Sequence, residues 1–410
     1  MPLRELFVDC NAFFASCEQH LRPELRGRAL GVVPVLAETG CCIAASIEAR
    51  PFGVKTGTLV YEARKLCPHI QFVEARPKEY VQLHHCIVEI VEAQMHVEHI
   101  HSIDEMSCRL TGRWCEPDRA RALARQIKMA LRRDLGPVLR CSIGLAPNLF
   151  LAKTASDMQK PDGLVVLDLE DLPQALHGLE LSDLCGIGRH MERRLRAARI
   201  TTVEELCAAS REKLRSVWGG VGGERFWAWL RGDDFAAAPT RKSVFGHSHV
   251  LAPALRTEAA ARAVAHRLLE KAAMRLRAAD YFAGELQAYL RYPRGQSWED
   301  ARSLEPTQDT VEFARTLDLL LDRRTPREDR AGPIQVGVNL LRLTHACDNP
   351  LPLFPTESTR RLPLMRVVDR LNRVYGFGAI HWGSAHAARA AAPMRIAFNR
   401  IPSLENEDTH

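Results

Sequence analysis

The chain opens with a mostly apolar run, residues 3–10, that ends on one acid, Asp9; this pattern predicts a buried strand. "NAFFASCEQH" then reads as a short helix. Residues 28–77 hold short strand-like runs, "ALGVVPV" and "CCIAAS", and a basic helix, "VYEARKLCPH", stopped by Pro68. In "KEYVQLHHCIVEIVEAQMHV" the apolar positions Val81, Ile87, Val88, Val91 and Met95 predict a long helix over residues 78–97. "HIHSIDEMSCRLTG" reads as two strands joined by a tight turn around Asp104 and Glu105. An amphipathic helix, "PDRARALARQIKMALRRDLG", follows with Gly136 as its cap, then the strand "PVLRCSIGLA".

In order this is strand, helix, insertion, helix, strand pair, helix, strand, close to a split β-α-β ferredoxin-like pattern with an insertion. The first strand of such a sheet lies beside the hairpin, so Asp9, Asp104 and Glu105 can meet at one edge. Clustered acids repel and need a counter-charge, and magnesium suits oxygen ligands beside phosphates. The plainer reading, a solvated hairpin turn, stays open at this point. Farther on, "LSDLCGIGRHMERRLRAARITTVEEL" places a glycine pair, Gly186 and Gly188, between helical patterns. "RGDDFAAAPTRKSV" reads as a linker. From residue 245 strand-like pieces alternate with amphipathic helices at 257–278 and 308–322, a βαβ-like unit rich in arginine. Beyond residue 346, proline and turn residues predict an extended or poorly packed tail with one helix, "LPLMRVVDRLNRVYG".

Composition narrows the partners. A chain of 410 residues carries more than one domain, and its formal charge of +6 admits a polyanion without requiring one. The 12 cysteines include no C-x-x-C pair, which argues against a zinc ribbon or disulfide framework and for reduced thiols in the cytoplasm. No stretch reaches the roughly 20 apolar residues of a membrane helix, and the N-terminus lacks a signal-peptide pattern. His96, His99 and His101 crowd the acids, but their spacing crosses a helix-to-strand boundary, so solvated or internally bonded histidines compete with a zinc site.

"FVDCNAFFASCE", "EARPFGVKTG", "SIDE" and "SIGLAPNLFLAKTASDMQKPDG" together resemble the signature set of the Y-family (translesion) DNA polymerases, over roughly residues 3–345. Some stretches lean toward the catalytic subunit of the SOS-mutagenesis polymerase, others toward bacterial polymerase IV. The resemblance implies an α+β right-hand fold: palm (1–18 and 78–167), inserted fingers (19–77), helical thumb with a helix-hairpin-helix (168–235), linker (236–244), α/β little finger (245–345) and tail (346–410). It implies error-prone, template-directed DNA synthesis without proofreading, as a monomer on primed template DNA with deoxynucleoside triphosphates. Asp9, Asp104 and Glu105 match the catalytic acids that hold two Mg²⁺ ions, and the Cys10 position donates a main-chain carbonyl. Phe14 matches the steric gate against a ribose 2′-OH, with Phe13 beside it. Arg50 and Lys160 match residues that grip the triphosphate, as its charge demands.

The helix-hairpin-helix turn at Gly186 and Gly188, with Arg189, would bring backbone N–H groups to a DNA phosphate, although a plain helix–helix connection has the same pattern. Arg241, Lys242, Arg291 and Arg294 are further DNA candidates. "DNPLPLFP" resembles a sliding-clamp-binding peptide through Leu351, Leu353 and Phe354, with Pro350 where glutamine is usual. Other departures bear on activity: Ile47 replaces a phosphate-binding tyrosine, Ala44 a Ser or Thr, Met106 and Ser107 an Ala–aromatic pair, and Arg109 an acid. Two rivals follow, a catalytically weakened scaffold that binds DNA and clamp, and a nucleotidyl cyclase. The second shares the paired acids but not the additional domains.

Overall fold

A computed structural model describes residues 3–38, 40–235, 242–324, 332–349, 354, 356–389 and 391. The chain forms two compact units, whose described residues lie within 3–235 and 242–391. The first unit starts with β1 (Glu5–Cys10) and α1 (Phe13–Leu21), followed by β2 (Leu30–Val33), β3 (Ala44–Ala45), α2 (Val60–Leu66) and β4 (Gln71–Glu74). It continues through α3 (Pro77–Glu92), β5 (His99–Ser102), β6 (Glu105–Arg109), α4 (Pro117–Leu135), β7 (Cys141–Ala146), α5 (Leu149–Met158) and β8 (Leu164–Val166). Four short helices close it: α6 (Arg189–Ala197), α7 (Val203–Ala208), α8 (Arg211–Trp218) and α9 (Val221–Trp229).

Strand order β5-β6-β1-β7-β8 puts β1 at the centre, antiparallel to both neighbours. Side chains of a strand alternate between faces, and the core follows that rule. Leu6, Val8 and Cys10 pack with Tyr80 and Ile87 of α3 and Ile127 of α4. Phe7 faces the other way, into a cluster with Leu151 and Ala152 of α5 and with Leu195 and Phe226 of the closing helices. Glu5 and Asp9 share that second face by the same alternation. A smaller sheet, β3-β2-β4, has its own core of Ala29, Val33, Cys42, Val54 and Ile70.

The second unit contains β9 (Phe245–Val250), α10 (Glu258–Ala278), β10 (Tyr281–Arg291), β11 (Ser297–Thr307), α11 (Thr310–Asp322), β12 (Gln335–His345) and α12 (Glu357–Val374). Its sheet, β11-β10-β12-β9, is antiparallel throughout. Leu286 and Leu340 pack under Leu268 of α10 and Phe313 of α11.

Two expectations need correction. The long helix ends at Glu92 rather than 97, because the Glu92 carboxylate folds back to accept from Val97 N at 2.6 Å and to bond His96 Nδ1 at 2.6 Å. The tail is not an extended segment over residues 357–389. There α12 runs through Pro363, buries Met365 and Asn372, and is fastened by Arg277, which donates to both oxygens of Asp369 at 2.6 and 2.8 Å. Glu270 then accepts from Trp382 N at 2.9 Å. Among the described residues no helix is long and apolar enough to cross a membrane.

Candidate active site

The site is built on the register of β1 and β6. Asp9 stands directly opposite Glu105, and Cys10 N donates to Asp104 O at 2.8 Å, so three acids from two sequence segments meet where β1 ends and β6 begins. The hairpin turn is held from beneath. Buried His84 of α3 donates from Nδ1 to Ile103 O at 2.7 Å, and burial holds its pKa down to about 4, keeping the ring neutral. Ser102 Oγ donates to Asp104 Oδ1. Burial raises the pKa of both Asp104 and Glu105, and the charge of Asp9 raises each further, while Lys153 opposes the rise at both. Crowded, desolvated carboxylates of this kind are the arrangement by which active sites shift pKa values.

Two lysines supply the counter-charge. Lys153 Nζ lies 2.5 Å from Asp9 Oδ2, 2.8 Å from Glu105 Oε1 and 3.2 Å from Asp157 Oδ2. Lys160 Nζ lies 2.7 Å from Asp9 Oδ1 and 2.7 Å from Asp157 Oδ1. Burial disfavours the Lys153 ammonium, but Asp9, Asp157 and Glu105 outweigh it and leave the pKa raised. Among the described residues no three His, Cys, Asp or Glu side chains stand close enough to hold a metal ion as they are. The donors are nevertheless all oxygens, carry excess negative charge and already collect cations, which is the chemistry that hard divalent ions use.

Helix α5 delivers Lys153 and the turn just after it Lys160, and the helix's approach depends on glycine. A Cβ at Gly144 of β7 would meet Ala152 O at 2.0 Å, so only glycine lets α5 lie this close to the sheet. Asn148 caps the helix by accepting from Leu151 N at 2.8 Å and ties it to the closing helices by donating to Trp229 O and Asp233 O, each at 2.9 Å. Lys153 and Asp157 were not among the residues singled out from the sequence. Their i, i+4 spacing after a glycine-bearing strand was the available signal.

The remaining expected residues fall in several places. Cys10 points its thiol into the core, where burial raises its pKa well above the usual value, so only its main chain can serve a ligand. Phe13 and Phe14 are buried, 5.8 Å apart between ring centroids, and Phe14 stacks on Tyr80 at 4.8 Å. Arg50 is exposed at the start of a short 3₁₀ turn closed by Gly53, while Ile47 is half-buried and Ala44 buried. Gly186, at φ 89°, and Gly188 form the turn before α6, with Arg189 exposed at its first position. Lys242 lies 4.0 Å from the Phe245 ring centroid, and Arg291 and Arg294 are exposed around the β10–β11 turn. Phe354 is 82% exposed. Arg241, Pro350, Leu351 and Leu353 lie outside the described residues. The three histidines give no ligand cluster: His96 pairs with Glu92, while His99 and His101 pack ring to ring.

Two departures from the family pattern are absorbed locally. His101 stacks on Phe7 with centroids 5.3 Å apart and hydrogen-bonds Ser107 Oγ at 2.9 Å, filling room that the small side chain at 107 leaves. Arg109 pairs with Glu5 across the strand pair and with Asp234 at 2.7 Å.

Comparisons with known proteins agree with this architecture. Residues 8–157 match the impB/mucB/samB family and residues 241–350 match its C-terminal domain. DNA polymerase IV of Moorella thermoacetica is 35% identical over 384 residues, covering 92% of this chain and 94% of the relative. DNA polymerase IV 1 of Bacillus subtilis is 28% identical over 407 residues, 96% of this chain and 95% of the relative. The fold is similar to that of a Y-family DNA polymerase chimera, Dbh-Dpo4(243-245)-Dbh, with TM-score 0.69 at 21% identity over 83% of this chain and 99% of that one. An insertion ternary complex of Dbh DNA polymerase superposes at TM-score 0.53, again at 21% identity over 83% and 99%. On its sheet register, its paired acids and these matches, the chain belongs to the impB/mucB/samB family, the Y-family DNA polymerases.

Proposed function

We propose that the cluster formed by Asp9, Asp104 and Glu105 is the nucleotidyl-transfer centre of an error-prone, translesion DNA polymerase. The observation that carries this reading is the Asp9–Glu105 cross-strand pair beside Asp104, with two lysines on the same carboxylates. The three acids and the Cys10 carbonyl would hold two Mg²⁺ ions. When bound, such ions make the primer 3′-hydroxyl more acidic and offset charge on the triphosphate. The chain's own part is alignment: buried Asp9 fixes one edge of the site, and Lys160 and Arg50 supply positive charge for the phosphate chain. Phe14, backed by Tyr80, would stand against a ribose 2′-OH.

Primed template DNA would be held through phosphates by Gly186, Gly188 and Arg189, by Arg241 and Lys242, and by Arg291 and Arg294. Such contacts read no sequence and weaken with salt. The peptide containing Leu351, Leu353 and Phe354 would engage a sliding clamp, and the active species is a monomer in the cytoplasm. Primer extension with Mg²⁺ tests the centre. Wild type should extend, and Asp104→Ala/Glu105→Ala should lose at least about a thousandfold in rate, the scale of a lost electrostatic centre. Equal inertness of the two, with both binding primed DNA, would instead make the chain a scaffold; its complete acid set disfavours that.

A further inference from the structure

We propose that Lys153 is a resident counter-cation that occupies the carboxylates in the metal-free protein, and that Asp157 is the seat to which it retreats when a divalent ion enters. The inference rests on reading Asp9, Asp104 and Glu105 as metal ligands. It starts from the fact that both oxygens of Asp9 already carry an ammonium, Lys153 on Oδ2 and Lys160 on Oδ1. Lys153 also bridges to Glu105 at 2.8 Å, so it spans the two acids that face each other across β1 and β6.

A Mg²⁺ ion bonds carboxylate oxygens at about 2.0–2.1 Å. An ammonium on the same oxygens would then lie within about 3–4 Å of the ion. At that separation like charges repel strongly even when the surroundings screen them in part. The ion and the ammonium therefore exclude each other, and loading requires Lys153 to leave Asp9 and Glu105. Asp157 is placed to receive it. It lies one helical turn on along α5, its Oδ2 is already 3.2 Å from Nζ, and it stays outside the β1–β6 pair. Phe7, whose ring centroid is 5.2 Å from Nζ, offers a second favourable surface on the same side.

Occupancy by Lys153 keeps four neighbouring acids tolerable without metal and makes free divalent ions compete for the site. A nucleotide brings negative charge that attracts the displaced ammonium, so metal loading becomes coupled to nucleotide arrival. Lys153 and Asp157 are on this account positioning residues. They govern when the site fills and need not touch the reacting atoms.

The test is Mn²⁺ binding to the full chain without DNA or nucleotide, followed by the electron paramagnetic resonance signal of the free ion. Lys153→Met should bind Mn²⁺ at least about fivefold more tightly than wild type, and Lys153→Arg should not. Lys153→Met should also melt lower than wild type in EDTA and show the larger upward shift on adding Mn²⁺. Asp157→Asn should weaken binding, and this loss should shrink severalfold in the Lys153→Met background, since neighbouring groups that act together are not additive. Equal or weaker binding by Lys153→Met overturns the proposal, as does an Asp157→Asn effect that is undiminished in that background. Binding abolished by Asp104→Ala/Glu105→Ala but unchanged by Lys153→Met would sink the role of Lys153 alone. Binding unaffected by the double alanine would sink the metal reading as well.

Discussion

Asp9 and Glu18 are both buried acids of the first strand–helix pair, and their partners differ in kind. Glu18 is fully buried and accepts from Arg76 Nε at 3.0 Å, from Arg76 at 2.8 Å on its other oxygen, and from Tyr80 Oη at 2.7 Å. A planar guanidinium laid along both oxygens, with a phenol added, satisfies the carboxylate in one fixed geometry. Asp9 is held by two ammonium groups on flexible stems and shares its surroundings with Asp104 and Glu105, whose pKa values burial raises. Ammonium is a point charge that can be exchanged for another cation; a bidentate arginine is not readily exchanged. Glu18 is therefore built in, and Asp9 is left open to a ligand. Burial alone did not separate them, because the partner chemistry did.

The comparison breaks first at Glu18. Glu18→Gln leaves Arg76 and Tyr80 facing a neutral amide, and disrupting a buried ion pair from one side costs about 3–5 kcal/mol. Chemical denaturation should show the midpoint falling by an amount of that order. Extension rate per folded molecule should fall far less than for the acid pair at 104 and 105. A Glu18→Gln protein of wild-type stability, but inactive, would reverse the assignment of the two acids.

Glu5 gives an intermediate case, since it shares one arginine, Arg109, with Asp234. Burial lifts its pKa to about 7 against the opposing pull of Arg109. The folded chain therefore holds a proton on Glu5 over a window in which the unfolded chain, near 4.5, has released it. With the native state binding more protons, stability falls as pH rises from about 4.5 to about 7 and levels off above. The change is at most about 3 kcal/mol on that shift. Melting curves at pH 5, 6, 7 and 8 should show Glu5→Gln losing part of the wild-type slope below pH 7. Identical slopes in the two proteins would remove Glu5 from the pH response.

Legibility followed the range of the interactions involved. The place where Asp9 meets Asp104 and Glu105 was readable because strand period and a sharp hairpin are local patterns, and sheet order then brings them together. Lys153 and Asp157 were harder, since their meaning depends on α5 crossing the sheet at Gly144. Ser107 looked like a loss until His101, from the neighbouring strand, was found against it. The tail's helix was read from 362 onward, but its start at Glu357, ahead of Pro363, and its packing were missed because proline argues locally against continuing a helix. Tertiary bonds such as Arg277–Asp369 outweigh that preference. Long-range partners decided each of the harder cases.

The smallest test separates the two functions of Tyr80. Its ring stacks on Phe14 and its hydroxyl donates to Glu18, so Tyr80→Phe removes one hydrogen bond while keeping the stack. Glu18 retains both Arg76 bonds, and the loss should be about 1.5–3 kcal/mol, the range for a hydrogen bond to a charged group. Calorimetric melting should register this as a drop smaller than that of Glu18→Gln. Competition between ribo- and deoxynucleoside triphosphates in primer extension should stay as in wild type, because the ring behind Phe14 is unchanged. If ribonucleotide use rises instead, the Glu18 bond orients the stack as well as stabilising the fold, and the division between a built-in acid and an open one no longer holds at Glu18.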